Sequence, residues 1–258
     1  MSPKLELQDI HKSFPTSKEV LRVVGGVTLG IAEGEFVAIV GPSGCGKSTL
    51  MNIIAGFEKP DTGTVLIDGK ARQGPNANGI MISQSGSVFP WLTVQQNLMF
   101  GLTGNQHGDK VELADKYAAL VGLKGFEFSY PHELSGGMLK RVEIARALVV
   151  RPEIIFMDEP FSALDALMNL RMRTEFLRIL EQERHTVLLI THDVEEAIFM
   201  ADRVLVLSPR PTRIQATYEI KMPHPRGITS PPAQALRATI LKELGVVHDS
   251  LAAVPQLI

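Results

Sequence analysis

The chain has 258 residues, of which 45% are hydrophobic and 21% charged, with a formal net charge of −2 at pH 7. This composition indicates a soluble globular protein with one large α/β domain, or one domain with a subdomain, and excludes the broad basic surface of a nucleic-acid-binding protein. The sequence shows neither a secretory signal nor an apolar run near the roughly 18 residues that span a bilayer, and its single cysteine indicates a reducing compartment.

The N-terminal part of the chain predicts β-structure. Residues 5–10 alternate between apolar and polar side chains, and residues 20–31 predict two short strands that are broken by Gly25-Gly26. The apolar residues 35–40 then predict a buried strand. Phe14 lies ahead of that strand. The sequence leaves two interpretations of this residue open: it packs in the core, or it stacks on a nucleotide base.

Residues 41–49 carry the main functional motif. They match the phosphate-binding loop G-x-x-x-x-G-K-[ST] between a predicted strand and a predicted helix over residues 50–55, which is the context that this motif requires. Glycines let backbone N–H groups wrap a phosphate, and the helix N-terminus adds positive potential. Lys47 is expected to reach the β- and γ-phosphates, Ser48 to bind Mg²⁺, and Cys45 to act as a small filler residue. The loop residues are Gly41, Pro42, Ser43, Gly44, Cys45, Gly46, Lys47, Ser48 and Thr49.

After the loop helix, residues 64–67 and 79–83 predict strands, the first of which is closed by a hairpin-type turn. The second strand leads into Gln84 and a proline-containing loop with Phe89 and Trp91. These two aromatic residues either pack inward or form a surface for another protein.

A helical pattern follows over residues 94–122, with a polar break at residues 103–108. The next helix opens at Ser135-Gly136-Gly137, with Ser135 as its predicted N-cap. A helix start of this kind is either plain capping or a second anion site, because its backbone N–H groups point outward.

Two later strands end in side chains that carry chemistry. Residues 154–159 end in Asp158 and Glu159, and residues 186–191 are followed by His192. In open α/β sheets ligands bind at the carboxyl ends of the strands. We therefore expect Asp158 to share Mg²⁺ with Ser48, and Glu159 to polarise a water molecule.

The rest of the chain alternates between helix and strand. A long helix is predicted over residues 167–182, closing strands over 204–207 and 213–220, and a last helix over 233–244. Residues 222–227 and the pair Pro231-Pro232 predict a linker between the final strand and this helix.

Together and in order, these motifs resemble the ATP-binding subunits of ABC transporters. Leu134-Ser135-Gly136-Gly137, placed between the phosphate loop and the strand that ends in Glu159, is particular to that family, and the resemblance covers about residues 5–244. It implies a RecA-like P-loop NTPase core of α/β class with an antiparallel β subdomain and a helical subdomain. The ATPase domain would span residues 4–220, with the helical subdomain at about 92–151, and residues 221–258 would form a linker, helix and tail without a separate regulatory domain.

The resemblance also implies roles for single residues in binding ATP and Mg²⁺. Phe14 matches the aromatic that stacks on adenine, and Gln84 matches the residue that senses Mg²⁺ and the γ-phosphate. Glu159 matches the general base, His192 the switch histidine, and Lys47 a group that neutralises charge on the phosphates.

In that family two subunits close head to tail around two ATP molecules. Ser135, Gly136 and Gly137 would then face the γ-phosphate held by the partner chain, and Asp165 would belong to the loop that communicates across the dimer. The expected partner is a second copy of this chain.

Some local sequences resemble the nitrate, sulfonate and taurine importer group. Met138 stands where glutamine is commoner, a variant that resembles that group, as do residues 89–94 and 158–165. Ser83 is a further departure, because phenylalanine often stands there. The expected function is ATP hydrolysis that drives import through separate membrane permease subunits, contacted by Phe89 and Trp91, with a solute-binding protein acting indirectly. Such a subunit would lie peripherally on the cytoplasmic face of the inner membrane and bind no nucleic acid.

Three alternatives stay open at this point. The chain is also compatible with the ATPase of an exporter, since the nucleotide motifs are shared. A soluble ABC-type ATPase of DNA repair or translation would be expected to carry coiled-coil insertions, paired cassettes or basic surfaces. Another phosphate-loop enzyme, such as a small-molecule kinase, would lack the Ser-Gly-Gly helix start and the Glu159–His192 pair.

Overall fold

The computed structural model describes residues 3–17, 19–75, 79–83, 86–102, 109–162 and 164–246. Within these ranges the chain forms ten strands in two sheets, seven α-helices and a short 3₁₀ turn at Pro131–Glu133. The strands are β1 (Leu5–Pro15), β2 (Val20–Ile31), β3 (Phe36–Val40), β4 (Thr62–Ile67), β5 (Lys70–Ala71), β6 (Gly79–Ile82), β7 (Ile154–Asp158), β8 (Thr186–Ile190), β9 (Arg203–Leu207) and β10 (Ile214–Glu219). The helices are α1 (Lys47–Ala55), α2 (Val94–Met99), α3 (Lys110–Leu120), α4 (Gly136–Val149), α5 (Ala166–Gln182), α6 (Val194–Met200) and α7 (Pro231–Glu243).

The larger sheet has the order β10-β9-β3-β8-β7-β6 and is parallel except for β10 at one edge. Every residue of β3, β7 and β8 is buried. This agrees with their unbroken apolar runs, because a parallel strand that is covered on both faces has no solvent-exposed face on which polar residues would alternate. The sequence-based prediction of a RecA-like α/β core is confirmed.

The smaller sheet has the order β2-β1-β4-β5 and is antiparallel, which confirms the expected β subdomain. The prediction of two short strands over residues 20–31 was wrong, because β2 is one continuous strand. Register shifts between β1 and β2 absorb the irregularity around Gly25 and Gly26, and Gly26 takes a positive φ of 93° that glycine tolerates without strain.

Two hydrophobic clusters lie on opposite faces of the larger sheet, because successive side chains of a strand point to opposite sides. Phe36, Ala38 and Val40 join a cluster that contains residues of α2 to α7. Val37 and Ile39 join the other cluster, with α1 and the smaller sheet. The larger sheet is therefore the central layer, and its carboxyl edge is left free for the residues that follow β3, β7 and β8.

Helices α2, α3 and α4 pack against one another beyond one side of the sheet. The structure has α2 and α3 inside the predicted helical stretch 94–122, and the predicted break at 103–108 lies outside the described residues. Within the described ranges, none of the helices combines the length and apolar character needed to cross a bilayer.

Two further features differ from the sequence-based expectation. Pro231 and Pro232 were predicted as linker but form the first turn of α7, where a missing N–H costs no intrahelical hydrogen bond. Helix α6 was not predicted, because its seven residues are too few for a clear periodic pattern. Its start is marked instead by Asp193, whose side chain accepts hydrogen bonds from the N–H groups of Glu195 and Glu196.

A comparison of two glycines tests the close packing of the smaller sheet. Gly63 and Gly69 both have positive φ, but a Cβ at Gly63 would lie 2.4 Å from the carbonyl oxygen of Asp9, whereas a Cβ at Gly69 would meet nothing within 4 Å. We expect Gly69→Ala to lower the free energy of unfolding by about 1–2 kcal/mol through backbone strain alone. Gly63→Ala adds a clash with backbone and should cost about 3 kcal/mol or more. Denaturant unfolding of both variants checks this, and equal losses would contradict it.

Candidate functional site

The phosphate loop connects the carboxyl end of β3 to α1. Gly46 precedes the helix with φ of 119° and offers no side-chain cap, so the first N–H groups of α1 are left for another acceptor. A Cβ at Gly46 would lie 2.7 Å from Cγ1 of Val23. A side chain here would therefore need both a disfavoured φ and a shift of β2, and only glycine fits this position.

Lys47 is turned back over this loop. Its Nζ donates hydrogen bonds to the carbonyl oxygens of Gly41 at 2.8 Å and Pro42 at 3.0 Å, and its side chain is buried. The carbonyls hold the ammonium group on the inner side of the loop, where a phosphate wrapped by the N–H groups would meet its charge.

A second contact supports the loop from the strand pair β9–β10. The hydroxyl of buried Thr212 donates a hydrogen bond to the carbonyl oxygen of Cys45, and the N–H of Thr212 donates to the carbonyl oxygen of Val23 at 2.8 Å. Cys45 is itself buried and forms no disulfide. This burial agrees with its predicted part as a small filler residue.

The loop opens onto a cavity of about 290 Å³. Its lining residues are polar or small and come from the loop, the end of β7 and the segment after β9; they are Ser43, Gly44, Gly46, Lys47, Ser48, Thr49, Glu159 and Arg210. Arg210 was missed by the sequence analysis. The available signal was its place just after a closing strand, since β9 runs parallel to β3 and ends at the same edge of the sheet. It adds a second cation beside the loop.

Ser48 and Asp158 lie together at this edge. The Ser48 hydroxyl is close enough to the Asp158 carboxylate to influence its pKa, and Asp158 is only 6% exposed. Burial raises the pKa of the Asp158 carboxyl, which means that its charge is poorly compensated, although Ser48 and Lys47 act in the opposite direction. The Ser48 hydroxyl and the buried Asp158 carboxylate supply two oxygen ligands of the kind that Mg²⁺ binds. Mg²⁺ takes one or two carboxylates from a protein and completes its coordination shell with phosphate and water.

Glu159 and His192 form the second pair. Nδ1 of His192 lies 3.1 Å from Oε1 of Glu159, with the histidine 62% exposed and the glutamate 18% exposed. Glu159 has φ of 48°, and its N–H donates to the carbonyl oxygen of Ile190 at 2.9 Å. This left-handed conformation costs about 1–2 kcal/mol in a residue with a side chain. It turns the chain at the end of β7, so that Glu159 lines the cavity while Asp158 stays buried beside Ser48.

A partly buried polar network holds the residues on either side of His192. Nη2 of Arg173 on α5 donates to Oδ2 of Asp193 at 2.9 Å, and its Nε lies 3.4 Å from Oε1 of Glu196. The hydroxyl of Thr191 also donates to Glu196. Burial raises the pKa of the Glu196 carboxyl, while the charge of Arg173 lowers it. Sequence reasoning missed this network, because its members come from three separate elements.

The Ser-Gly-Gly helix start lies on a different surface element. Ser135 caps α4 by accepting a hydrogen bond from the N–H of Met138 at 3.3 Å, so the capping interpretation is correct for its side chain. Ser135 and Gly136 are exposed. A Cβ at Gly137 would lie 3.4 Å from Leu164, next to Asp165, which caps α5 by accepting from the N–H of Met168 at 3.0 Å. The two loops assigned to the dimer contact are therefore neighbours.

The structure describes one of the two remaining predicted nucleotide residues. Phe14 lies on the β1–β2 hairpin, half-buried against the cluster that contains α1, with Nζ of Lys12 5.2 Å from the centre of its ring. Its role in stacking on adenine stays a prediction. Gln84 lies outside the described residues.

The sequence left open whether Phe89 and Trp91 pack inward or form a surface, and the structure gives a different answer for each. The ring of Phe89 lies 4.3 Å from that of Phe100 and 5.6 Å from that of Trp91, with the guanidinium carbon of Arg146 4.9 Å from its centre. Trp91 is 69% exposed. Phe89 is thus a packed residue, and Trp91 presents an aromatic ring to solvent.

Comparison with known proteins agrees with this geometry. The family model described as ABC transporter matches residues 24–162. A nitrate import ATP-binding protein of Synechocystis sp. is 44% identical over 85% of this chain and 83% of its own length. An aliphatic sulfonates import ATP-binding protein of Bacillus cereus is 37% identical over 96% of this chain and 99% of its own length. A solved dimeric ATP-binding cassette, in a post-hydrolysis state with ADP and Pi, has a TM-score of 0.75 and 30% identity, and covers 84% of this chain and 99% of that one.

The family match spans both the phosphate loop and the strand that ends in Asp158, and the relatives are similar over most of their own length. The chain therefore belongs to the ATP-binding subunits of ABC transporters, the ATPases whose nucleotide hydrolysis is coupled to transport.

Proposed function

We propose that this chain hydrolyses ATP as one of two head-to-tail copies and thereby drives import of a small solute of the nitrate, sulfonate or taurine type. The observation that carries the hydrolytic part is the Glu159–His192 pair, with Oε1 and Nδ1 3.1 Å apart beside the cavity of the phosphate loop. The import part is supported by the names of the relatives and by the aromatic surface at Trp91.

Binding of the triphosphate is assigned to the loop and the cations around it. The uncapped N–H groups of α1 and the ammonium of Lys47 meet the β- and γ-phosphates, and Arg210 adds charge at the rim. Ser48 and Asp158 would hold Mg²⁺, which when bound neutralises negative charge that develops on the phosphate oxygens. Phe14 and Gln84 are retained as proposed adenine and γ-phosphate contacts.

Hydrolysis is phosphoryl transfer to water, in which positioning and charge neutralisation carry most of the catalysis. Glu159 orients the attacking water and accepts its proton, because its carboxylate lines the cavity that receives the phosphates. His192 contacts the Glu159 carboxylate and steadies the γ-phosphate. Thr191 and Asp193, on either side of His192, are fixed by the network of Arg173 and Glu196.

The partner copy completes the pocket in this proposal. Ser135, Gly136 and Gly137 start a 14-residue helix whose first N–H groups point away from its body, and Ser135 and Gly136 are exposed. Facing the partner's γ-phosphate would give these donors an acceptor. Asp165 lies beside this helix start and is placed at the same contact. The dimeric form of the solved cassette supports this arrangement.

The remaining assignments concern the membrane. We place the helical subdomain at about residues 92–151, around α2, α3 and α4, and assign Phe89 and Trp91 to the contact with permease subunits. The chain would then lie peripherally on the cytoplasmic face of the inner membrane, with a solute-binding protein acting indirectly. Residues 221–258 would form a linker, helix and tail.

The variant Glu159→Gln tests the general base. It keeps the size of the side chain but removes its basicity, so ATP binding should persist while turnover falls about 100-fold or more. The ATP-bound dimer should accumulate, as measured by size-exclusion chromatography with light scattering. Glu33→Gln, an exposed glutamate in the turn before β3, is the matched control and should hydrolyse ATP normally. Near-normal turnover by Glu159→Gln would refute the assignment.

The variant Trp91→Ala tests the membrane contact. An exposed tryptophan that anchors an interface typically contributes about 2 kcal/mol, so affinity for the permease subunits should fall ~30-fold while nucleotide affinity is unchanged. Phe57→Ala is the control, because Phe57 is a comparably exposed aromatic, at 60%, outside the helical subdomain. Co-purification of Trp91→Ala with the permease at the level of Phe57→Ala would show that the contact lies elsewhere.

A further inference from the structure

A groove with a volume of about 1020 Å³ lies between α3 and α5. Its main lining residues are Lys116 and Leu120 of α3, Arg141 of α4, and Met168, Leu170 and Arg171 of α5. We call it the α3–α5 groove. It shares no lining residue with the cavity of the phosphate loop, and its volume is at the upper end of the range of ligand pockets, roughly 300–1,000 Å³.

The groove has apolar walls above a buried floor. Val121 and Met172 are each 3% exposed, whereas Leu120 and Met168 are half-buried and Leu170 is 50% exposed. Helix α3 packs closely against α2 and α4, and in the described part of the chain α5 is not one of its close neighbours. The space between α3 and α5 therefore leaves apolar side chains partly uncovered, as is typical of a surface that receives another molecule.

The charged side chains of the groove are mostly cationic. Among the described residues that line it, Lys116, Arg141 and Arg171 are basic and Glu175 is acidic. Oε1 of Glu175 lies 4.0 Å from Nη1 of Arg178, so this carboxylate already has a cation of its own. The groove thus carries an excess of positive charge in a chain whose net charge is −2, and an anion is its complementary ligand.

Arg141 is held in a fixed orientation beside the groove. Its Nη1 donates hydrogen bonds to the carbonyl oxygens of Val121 at 3.1 Å and Gly122 at 2.9 Å, at the end of α3. Its buried Nε has no hydrogen-bond partner within the described residues. Burial lowers the pKa of the Arg141 guanidinium, although the charge of Asp165 acts in the opposite direction. The positive charge is therefore incompletely compensated, and an anion beside it would supply the missing compensation.

We propose that the α3–α5 groove binds a small soluble amphiphilic anion, which consists of one aliphatic chain and a sulfonate or carboxylate head group. The aliphatic chain covers Met168 and Leu170, and the head group lies between Arg141 and Arg171. A second copy of the protein fits less well, because a two-fold contact would bring two cationic grooves face to face. This inference does not rest on the proposed function, since no residue assigned to ATP lines the groove.

Titration calorimetry of the full chain with octanesulfonate, below its micelle concentration, tests the site. We expect one binding site per chain. Butanesulfonate has four fewer methylene groups and should bind about 100-fold more weakly, because each buried methylene contributes about fourfold in affinity. Octyltrimethylammonium has the same chain length with the opposite charge, and it should bind at least about tenfold more weakly than octanesulfonate.

Two leucines of α5 give a matched test of the apolar wall. Leu170 and Leu167 are 50% and 62% exposed, and Leu170 lines the groove whereas Leu167 does not. We expect Leu170→Asn to weaken octanesulfonate binding about tenfold and Leu167→Asn to leave it unchanged. Both side chains are exposed, so neither substitution should prevent folding.

Two exposed cations test the charge of the groove. Lys116→Gln/Arg171→Gln should weaken octanesulfonate binding about tenfold, because the sulfonate loses two of its three cationic neighbours. Arg22→Gln/Lys70→Gln is the matched control. It removes the same charge from exposed positions of the smaller sheet, on β2 and β5, and should bind octanesulfonate with unchanged affinity.

Weaker binding in both groove variants, with normal binding in both controls, supports the site. The inference is overturned if the unmodified chain does not bind octanesulfonate, if octyltrimethylammonium binds equally well, or if the controls lose as much affinity as the groove variants. Light scattering without nucleotide covers the other occupant. Self-association of the unmodified chain that Leu170→Asn abolishes would show that the groove is a contact between copies, and would also overturn the inference.

Discussion

The candidate functional site depends on the register of three parallel strands. β3, β8 and β7 are neighbours in the sheet, with Ile39 opposite Ile190 and Ile190 opposite Asp158. Beyond this row the hydrogen bonds continue into the loops: the N–H of Thr191 donates to Ile39 and that of Glu159 donates to Ile190. Because backbone hydrogen bonds in a buried sheet are costly to leave unmade, this pairing fixes where the phosphate loop, the two acids and His192 begin. A one-residue slip would reverse the side chains of a whole strand.

Several residues beyond this row of strand ends are in unfavourable states that lower the free energy of unfolding. Burial raises the pKa of the carboxyls of Asp158 and Glu196, and Glu159 adopts a left-handed backbone conformation. Each feature opposes folding, and each is accepted because the surrounding apolar strands supply the compensating free energy. Carboxyl groups with a shifted pKa and residues with a strained backbone are typical of functional sites, where a fixed arrangement of charge lowers stability.

Local sequence patterns were sufficient for the parts of the site that are built from one short stretch of chain. The phosphate loop, the two acids at the end of β7 and the histidine after β8 each lie where a buried apolar strand ends. A run of apolar residues followed by a motif is therefore enough to predict their place. Arg210 and Arg173 escaped prediction because their positions depend on which strands and helices are neighbours. Likewise β2 continues through Gly25-Gly26 because its partner β1 absorbs the irregularity, which is a property of the pair and not of either segment. The short helix α6 gave too few turns for a periodic signal.

The burial of Cys45 has a practical consequence for labelling. Cys45 lies within the phosphate loop and is 3% exposed, and it is the one cysteine of the chain. A maleimide or spin-label reagent needs contact with the sulfur, so the folded protein should behave toward such reagents as if it were free of cysteine. Surface cysteines can then be introduced one at a time for cross-linking or distance measurement between two copies, with the native residue left in place.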